Sequence, residues 1–450
     1  QQTKNWYQQF NEQGKDSYVL LPFPGLKALG TLPGIDRGFH RMAEVLYQVK
    51  GGFLYEIDNA GVHTLRGEIP GSGRAIIKDN GIKGKGAFAE PNMMKNPTNE
   101  ICIIDPNITG AKSVDFFNNQ FIYTFDRFST ISNVGNGAVA SGLNIVGEET
   151  LPDDLVRDFV FDEVIYRCGV RSIVGWYNSG VGSPPIDKLQ GRIFDVGLAA
   201  INSISETDEA FYWLGDDYAI YRASAGSHQR ISTDAISHEL QRYSDVSDAI
   251  GSTFTLEGQN FYMITFPTGK KTFIVNESLG EQGWFELSSG VSSPLDSKIY
   301  QGTSVVSVYG KNVIADIGNG NVYTLDLDTY TNNSEPLQRV RVTQSVNGDL
   351  LNSKGKRVQM SCIKFIMESG VGLMAGQGDN PRIMVEYSDD GGNTWRGGSW
   401  PKVGRLGQFT LQVEWFNLGS FYDRIFRLST TDPVNYSIYS ATIDLRLAGK

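Results

Sequence analysis

Cysteine is scarce. Only Cys102, Cys168 and Cys362 occur in 450 residues, and an odd, widely spaced set excludes a disulfide framework and points to folding in a reducing compartment. The four histidines, His40, His63, His228 and His238, are scattered, and no spacing puts two ligands on one face, so no metal site and no cofactor are expected. No apolar run nears the roughly 18 residues that span a bilayer. The opening stretch Gln1 to Gly14 is polar apart from Trp6, Tyr7 and Phe10, so neither a signal peptide nor a membrane anchor is expected. Charged residues make up only 20% against 40% hydrophobic, which excludes a disordered chain or a coiled coil. Basic charge is in deficit, 40 Lys and Arg against 50 Asp and Glu, and a net charge of -10 excludes a general binder of nucleic-acid phosphates.

What is abundant points to an all-β fold. The 51 glycines and the 11% aromatic content fit tight turns between aromatic-rich strands. Short apolar runs around turns recur, centred on Tyr47, Tyr123, Tyr166, Tyr212, Tyr262 and Ile314. Their spacing is 43 to 52 residues except for one gap of 76, which implies a further unit around Gly86 to Ala89 or Ile101 to Ile104. Six or seven such units, none able to bury its faces alone, close most simply as a β-propeller. Unrelated stacked β-sandwich domains are the alternative. One helix is expected from Thr233 to Arg242, opened by the capping cluster Ser232-Thr233-Asp234 and carrying Ile236 and Leu240 on one face.

After Tyr330 the period is lost. Runs at Val340 to Val342, Arg357 to Ile366, Arg382 to Tyr387, Phe409 to Trp415, Ile425 to Leu428 and Ser437 to Leu445 read as a separate, β-sandwich-like domain. Charge changes at the same place. Residues Thr331 to Lys450 carry 14 basic and 11 acidic residues, net +3, whereas Gln1 to Tyr330 carry 26 and 39, net -13. The expected domains are therefore 1–330, a propeller with an N-terminal arm, and 331–450, a C-terminal β domain.

No catalytic constellation is legible. The glycine-rich run Gly370 to Gly378 lacks the Gly-Lys-Ser/Thr of a phosphate loop and reads as a plain loop. Asp326 and Asp328 faintly resemble a calcium loop, but Tyr330 stands at the third ligand position, so a solvated turn is expected. Ser388, Asp390, Gly392, Thr394 and Trp395 match the Asp-box pattern of hairpin turns in sialidase-like β proteins. Its chemistry is structural: Asp390 can accept bonds from turn amides, Gly392 supplies a permissive backbone, and Trp395 is expected to plug the adjoining strand as a core residue.

Further motifs, each weak alone, are specific in their shared order. They are Pro24-Gly25-Leu26; Ile69-Pro70-Gly71-Ser72-Gly73; Trp176-Tyr177-Asn178-Ser179-Gly180; Phe211 to Asp217; Gln229 to Ile236; Thr265-Phe266-Pro267; Tyr323 to Thr331; Gly404-Arg405-Leu406-Gly407; and Tyr422 to Leu428. With the Asp box, they make the chain resemble the packaged-DNA stabilisation proteins of short-tailed phages, the podovirus tail hub or nozzle proteins. The resemblance implies a virion structural protein of the viral tail, assembled in the host cytoplasm as a homo-hexamer below the portal and its head-to-tail adaptor. Tail fibre, spike or needle proteins would be further partners, and double-stranded DNA would pass transiently through the lumen. Two departures stand out. Pro91, Met93, Met94 and Pro97 interrupt the blade pattern between Lys83 and Asn99, and Trp415 to Phe421 lacks the arginines that the family tends to carry there, so no basic patch is carried over.

The expected function follows: a tail nozzle that extends the DNA channel and helps retain packaged DNA until ejection, and not an enzyme. A carbohydrate-active propeller, sialidase-like glycosidase or lectin, is the alternative; it predicts a signal peptide, repeated Asp boxes and an acidic pair in a central pocket. A trimeric, elongated tail fibre is a third reading, which the compact repeat disfavours.

Overall fold

A computed structural model describes residues 2–10, 17–81, 88–89, 93–96, 99–104, 110–147, 153–182, 184–290 and 298–448. The chain forms two compact units that do not follow chain order: one of Ala28–Lys270 and Gln301–Thr324, the other of Gln1–Lys27, Lys271–Tyr300 and Leu325–Lys450.

The first unit is a β-propeller. Five four-stranded antiparallel sheets follow one another, opening with the strands Asp36–Met42, Ile76–Asp79, Ser113–Phe117, Leu155–Phe161 and Ser205–Glu206. A sixth group begins with the hairpin Ile250–Leu256 and Gln259–Phe266, and a seventh with Gly302–Val308 and Lys311–Asp316. Val313 to Ala315 pair with Val322 to Thr324. The opening strands lie side by side around the unit, and Gly302–Val308 lies against Asp36–Met42, so the ring closes with seven groups among the described residues. The repeat missing from the sequence pattern is the second sheet, to which both Phe88–Ala89 and Asn99–Ile104 belong. The proline-interrupted stretch still builds strands at Met93–Asn96; Pro91 and Pro97 lie outside the described residues.

Blades stack face to face, so their central strands are buried on both sides and read as continuous apolar runs rather than alternating ones. Phe211–Leu214 is buried throughout. Its Phe211 and Trp213 meet Phe159 and Phe194 of the fourth blade, with ring centroids 5.5 and 5.9 Å apart. Burying such aromatics is the main favourable contribution to blade stacking. A buried polar network joins two of the blades. Asp158 accepts from Thr124 Oγ1 at 2.9 Å and from Ser129, and faces Arg167 at 3.3 Å, which joins the third and fourth blades. The backbone approaches closely at Gly251, where a Cβ would lie 2.0 Å from the carbonyl oxygen of Ser203. Only glycine fits there.

The helix forms at Asp234–Leu240, one residue later than expected at its start and two shorter at its end. Thr233 caps it, accepting from the Ile236 amide, and Ile236 and Leu240 are buried as their spacing requires.

Two large sheets build most of the second unit. One runs, in order, Lys271–Asn276, Trp284–Leu287, Gln2–Lys4, Arg339–Val342, Asp423–Thr430, Met384–Ser388 and Arg396–Ser399. The other runs Trp6–Phe10, Tyr18–Pro22, Ile438–Leu447, Val358–Met367 and Val413–Phe421. Their shared core includes Trp6, Val358, Ile363, Val385, Phe426 and Tyr436. Every run expected beyond Tyr330 contributes to a strand, but the one sought at Phe409 to Trp415 is displaced to Val413–Phe421. The first 27 residues, read from sequence as an arm of the propeller region, supply three strands to this unit.

Candidate functional site

The Asp-box residues come together as one turn. Ser388 Oγ donates to Asp390 Oδ1 at 2.6 Å and accepts from the Gly392 amide at 2.9 Å. Asp390 also accepts from the Thr394 amide at 2.9 Å and from the Thr394 hydroxyl, while its carbonyl takes the Asn393 side-chain amide. These bonds, first those from the Ser388 and Thr394 hydroxyls, hold the Asp390 carboxyl well below the usual carboxylate range. Gly392 has φ 98°, a conformation that suits glycine. Trp395 is not a core residue. It is half-buried, and the Arg427 guanidinium covers its ring at 4.2 Å, so the turn is closed by an aromatic-cation stack and not by an inserted plug.

The residues that lock this hairpin were not singled out for a role in the sequence. Arg424 is buried, donates to both oxygens of Asp389 at 2.5 and 2.8 Å and to the Leu418 carbonyl, and lies 3.9 Å from the Tyr387 ring and 4.1 Å from that of Phe421. Arg427 binds Glu386 at 2.7 and 2.8 Å. Two motifs far apart in sequence, the Asp box and Tyr422 to Leu428, are thus two halves of one clamp. The only available signal was the i, i+3 arginine pair. On a strand, three residues put Arg424 and Arg427 on opposite faces.

Other motifs resolve in the same way. The carbonyls of Ile69, Pro70 and Gly73 accept from the buried Arg37 guanidinium at 2.8, 3.2 and 2.7 Å, so the Ile69 to Gly73 loop is a clasp around one cation. Pro24-Gly25-Leu26 meets the end of Tyr323 to Thr331: the Gly25 amide donates to the Thr329 carbonyl at 2.6 Å, and a Cβ on Gly25 would lie 2.3 Å from the Thr331 carbonyl oxygen. Asp326 caps its own turn, accepting from the Asp328 amide and the Thr329 hydroxyl, both at 3.1 Å, as a solvated turn should. The Gly370 to Gly378 run is a loop.

At the centre of the propeller the opening strands bring charges together. Lys78 of the second blade lies 3.1 Å from Asp115 of the third and 3.8 Å from Glu206 of the fifth. Arg157 of the fourth donates to the Ile201 carbonyl at 3.0 Å. Burial raises the Glu206 carboxyl, against the attraction of Lys78. Asp115 also accepts from the Phe116 and Val160 amides at 2.8 and 3.2 Å. A glycosidase needs two carboxylates facing across a substrate, one to give a proton and one to attack or activate water. Here an ammonium stands between the two and Asp115 is committed to backbone donors, which is the arrangement of a structural staple. A cavity of about 450 Å³, lined by His40, Arg41, Glu206, Asp208, Thr253 and Ser307, opens beside it. Among the described residues, no group of three or more His, Cys, Asp or Glu side chains is placed to hold a metal ion, and no helix is long and apolar enough to cross a membrane.

No curated protein matches the sequence. Among solved structures the chain is similar to the computationally designed Ika8 protein, 10% identical with a TM-score of 0.36, covering 67% of this chain and 99% of that one. It is similar also to BamB from Moraxella catarrhalis, 12% identical with a TM-score of 0.36, covering 70% and 95%. Likenesses this weak add nothing to the assignment. Family models decide it. Residues 2–330 match the model described as bacteriophage P22 Gp10, beta-propeller, and residues 344–446 match that described as bacteriophage P22 Gp10, beta-sandwich. A propeller stapled by buried ion pairs, a β-sandwich clamped by arginines and two family models that together match most of the chain lead to one conclusion: this chain belongs to the P22 Gp10 family of podovirus packaged-DNA stabilisation proteins, β structural proteins of the phage virion tail.

Proposed function

We propose that the chain is a tail nozzle: six copies close into a ring below the portal and its head-to-tail adaptor, extend the DNA channel, and help keep the packaged genome in place until ejection. The observation that carries this reading is the match of both family models, in order, to one chain. Supporting it is the charge of Gln1 to Tyr330, net -13, because a lumen of like charge lets duplex DNA slide while phosphate-binding lysines would retard it. A heterologous contact repeated about a closed axis makes a tube from one gene product. On the same reading the sequence divides at 330 into a propeller region, 1–330, and a C-terminal β domain, 331–450, although residues 1–27 and 271–300 of the first fold with the second unit. Adaptor and fibre, spike or needle proteins engage it in the virion tail after assembly in the host cytoplasm. The Asp-box residues Ser388 to Trp395 serve architecture and not catalysis.

The test counts DNA-filled heads in two mutant classes. Breaking ring contacts should leave particles that package DNA and then lose it, while neutralising lumen acids should slow ejection and spare retention. Full, stable heads in a ring-deficient mutant would refute the role.

A further inference from the structure

The second unit carries an exposed apolar tip built from two loops. The glycine-rich loop after Met367 and the loop around Gly404 to Gly407 are knitted together: Ser369 Oγ donates to the Phe409 carbonyl at 2.8 Å, the Gly407 amide to the Gly370 carbonyl at 3.1 Å, and the Leu373 amide to the Gly378 carbonyl at 2.7 Å. The Phe409 ring sits over Gly370, where a Cβ would be 2.6 Å away. This explains the glycine. The loops are therefore fixed, yet they hold large apolar side chains in solvent: Met374 is 91% exposed, Phe409 73% and Leu406 57%, with Leu373 beside them. Held-out apolar groups on a fixed scaffold mark a contact surface.

Charge indicates what covers it. From Arg396 to Val413 there are three cations, Arg396, Lys402 and Arg405, all exposed, and no carboxylate. The fifth blade with the helix that follows it is strongly acidic. Residues 201–250 hold nine acidic and three basic residues, and Asp208, Glu209, Asp216, Asp217, Asp234 and Asp245 are exposed. Opposite charges across an interface speed encounter and fix register, while the desolvated apolar centre supplies affinity. We infer that the apolar tip around Phe409 and Leu406 docks on the acidic fifth blade of a second copy of this chain. The contact is heterologous, as a closed ring requires, and so rests on the ring reading above.

Full-length chains carrying photo-reactive p-benzoylphenylalanine in place of Phe409, mixed as light and heavy isotopic forms, are irradiated and the cross-linked peptides identified. The expected product joins light to heavy chains, with the far end between residues 201 and 250. Phe409→Asp should raise the concentration for half-assembly by about tenfold or more. Arg405→Glu should weaken assembly and lose part of its salt dependence, and Asp216→Arg in the same chain should restore it. Cross-links only within one chain, only to another tail protein, or to another part of the second copy would overturn the docking inference, as would Phe409→Asp rings as stable as the parent. In those cases a ring that still forms leaves the nozzle reading standing. A parent chain that never self-associates, alone or on tail assemblies, overturns the ring and the docking together.

Discussion

The indole Nε1 of Trp6 donates to the backbone carbonyl of Tyr436 at 3.1 Å, across 430 residues of chain. Both side chains are fully buried in the same core, and the strand that carries Trp6 pairs through Tyr18–Pro22 with Ile438–Leu447. Segments more than 400 residues apart are thus one structural element. Folding of this unit must wait until both have been made.

Truncating Trp6 tests that dependence. Trp6→Ala removes a large aromatic from a closed core and should cost about 3 to 5 kcal/mol. Trp6→Phe keeps most of the bulk but strands the Tyr436 carbonyl, and should cost about 1 to 3 kcal/mol. Denaturant melts of the full chain, followed through the signal of the second unit, measure both. A near-neutral Trp6→Ala would show that the N-terminal strands are dispensable.

Arg424 should be irreplaceable by lysine. Its flat guanidinium lies against two rings while it binds both oxygens of Asp389, a geometry an ammonium cannot reproduce. Arg424→Lys and Arg424→Ala should each cost about 3 kcal/mol, at the low end for a broken buried pair because Asp389 is partly exposed. Restoration of stability by lysine in thermal melts would contradict the stacked-fork account.

The Asp-box turn should loosen in acid. The Asp390 carboxyl is depressed in the folded protein, so its contribution is complete above its unfolded value near pH 4 and is lost as the pH falls toward the folded one. Hydrogen exchange of the Thr394 amide, after correction for intrinsic acid and base catalysis, should show protection that declines below about pH 4. In Asp390→Ala the protection should be low and independent of pH.

Lys50 gives the opposite sign. Its side chain is buried, donates to the Gly320 carbonyl at 2.7 Å, and is pushed down to about 8 by burial against the pull of Asp36 and Asp316. Between about pH 8 and the unfolded value near 10.4, the unfolded chain binds more protons, so stability rises with pH in that window. Relative to Lys50→Met, the parent should therefore gain stability from pH 8 toward pH 10 in urea melts. A constant difference between the two would remove Lys50 as the cause.

Local pattern settled what depends on neighbouring residues. Aromatic and β-branched runs around glycine turns specified hairpins because a two-strand unit is closed by its own turn. Their period implied radial repetition, the Thr233 cap placed a helix, and the spacing from Ser388 to Thr394 defined a turn whose bonds all lie within seven residues. Where pairing is non-local, the sequence carried no such mark. Nothing in Trp6–Phe10 shows that its partner core lies beyond Val358, and nothing in Arg424 names Asp389. The second blade escaped the repeat pattern because its strands at Phe88–Ala89 and Met93–Asn96 are short and two prolines lie between Lys83 and Asn99. Trp395 read as a plug because tryptophan is usually buried; the arginine that covers it comes from a strand 32 residues on, brought alongside by sheet register. Burial and partnership across a core are decided by which surfaces meet, and that is fixed only when the whole chain has folded.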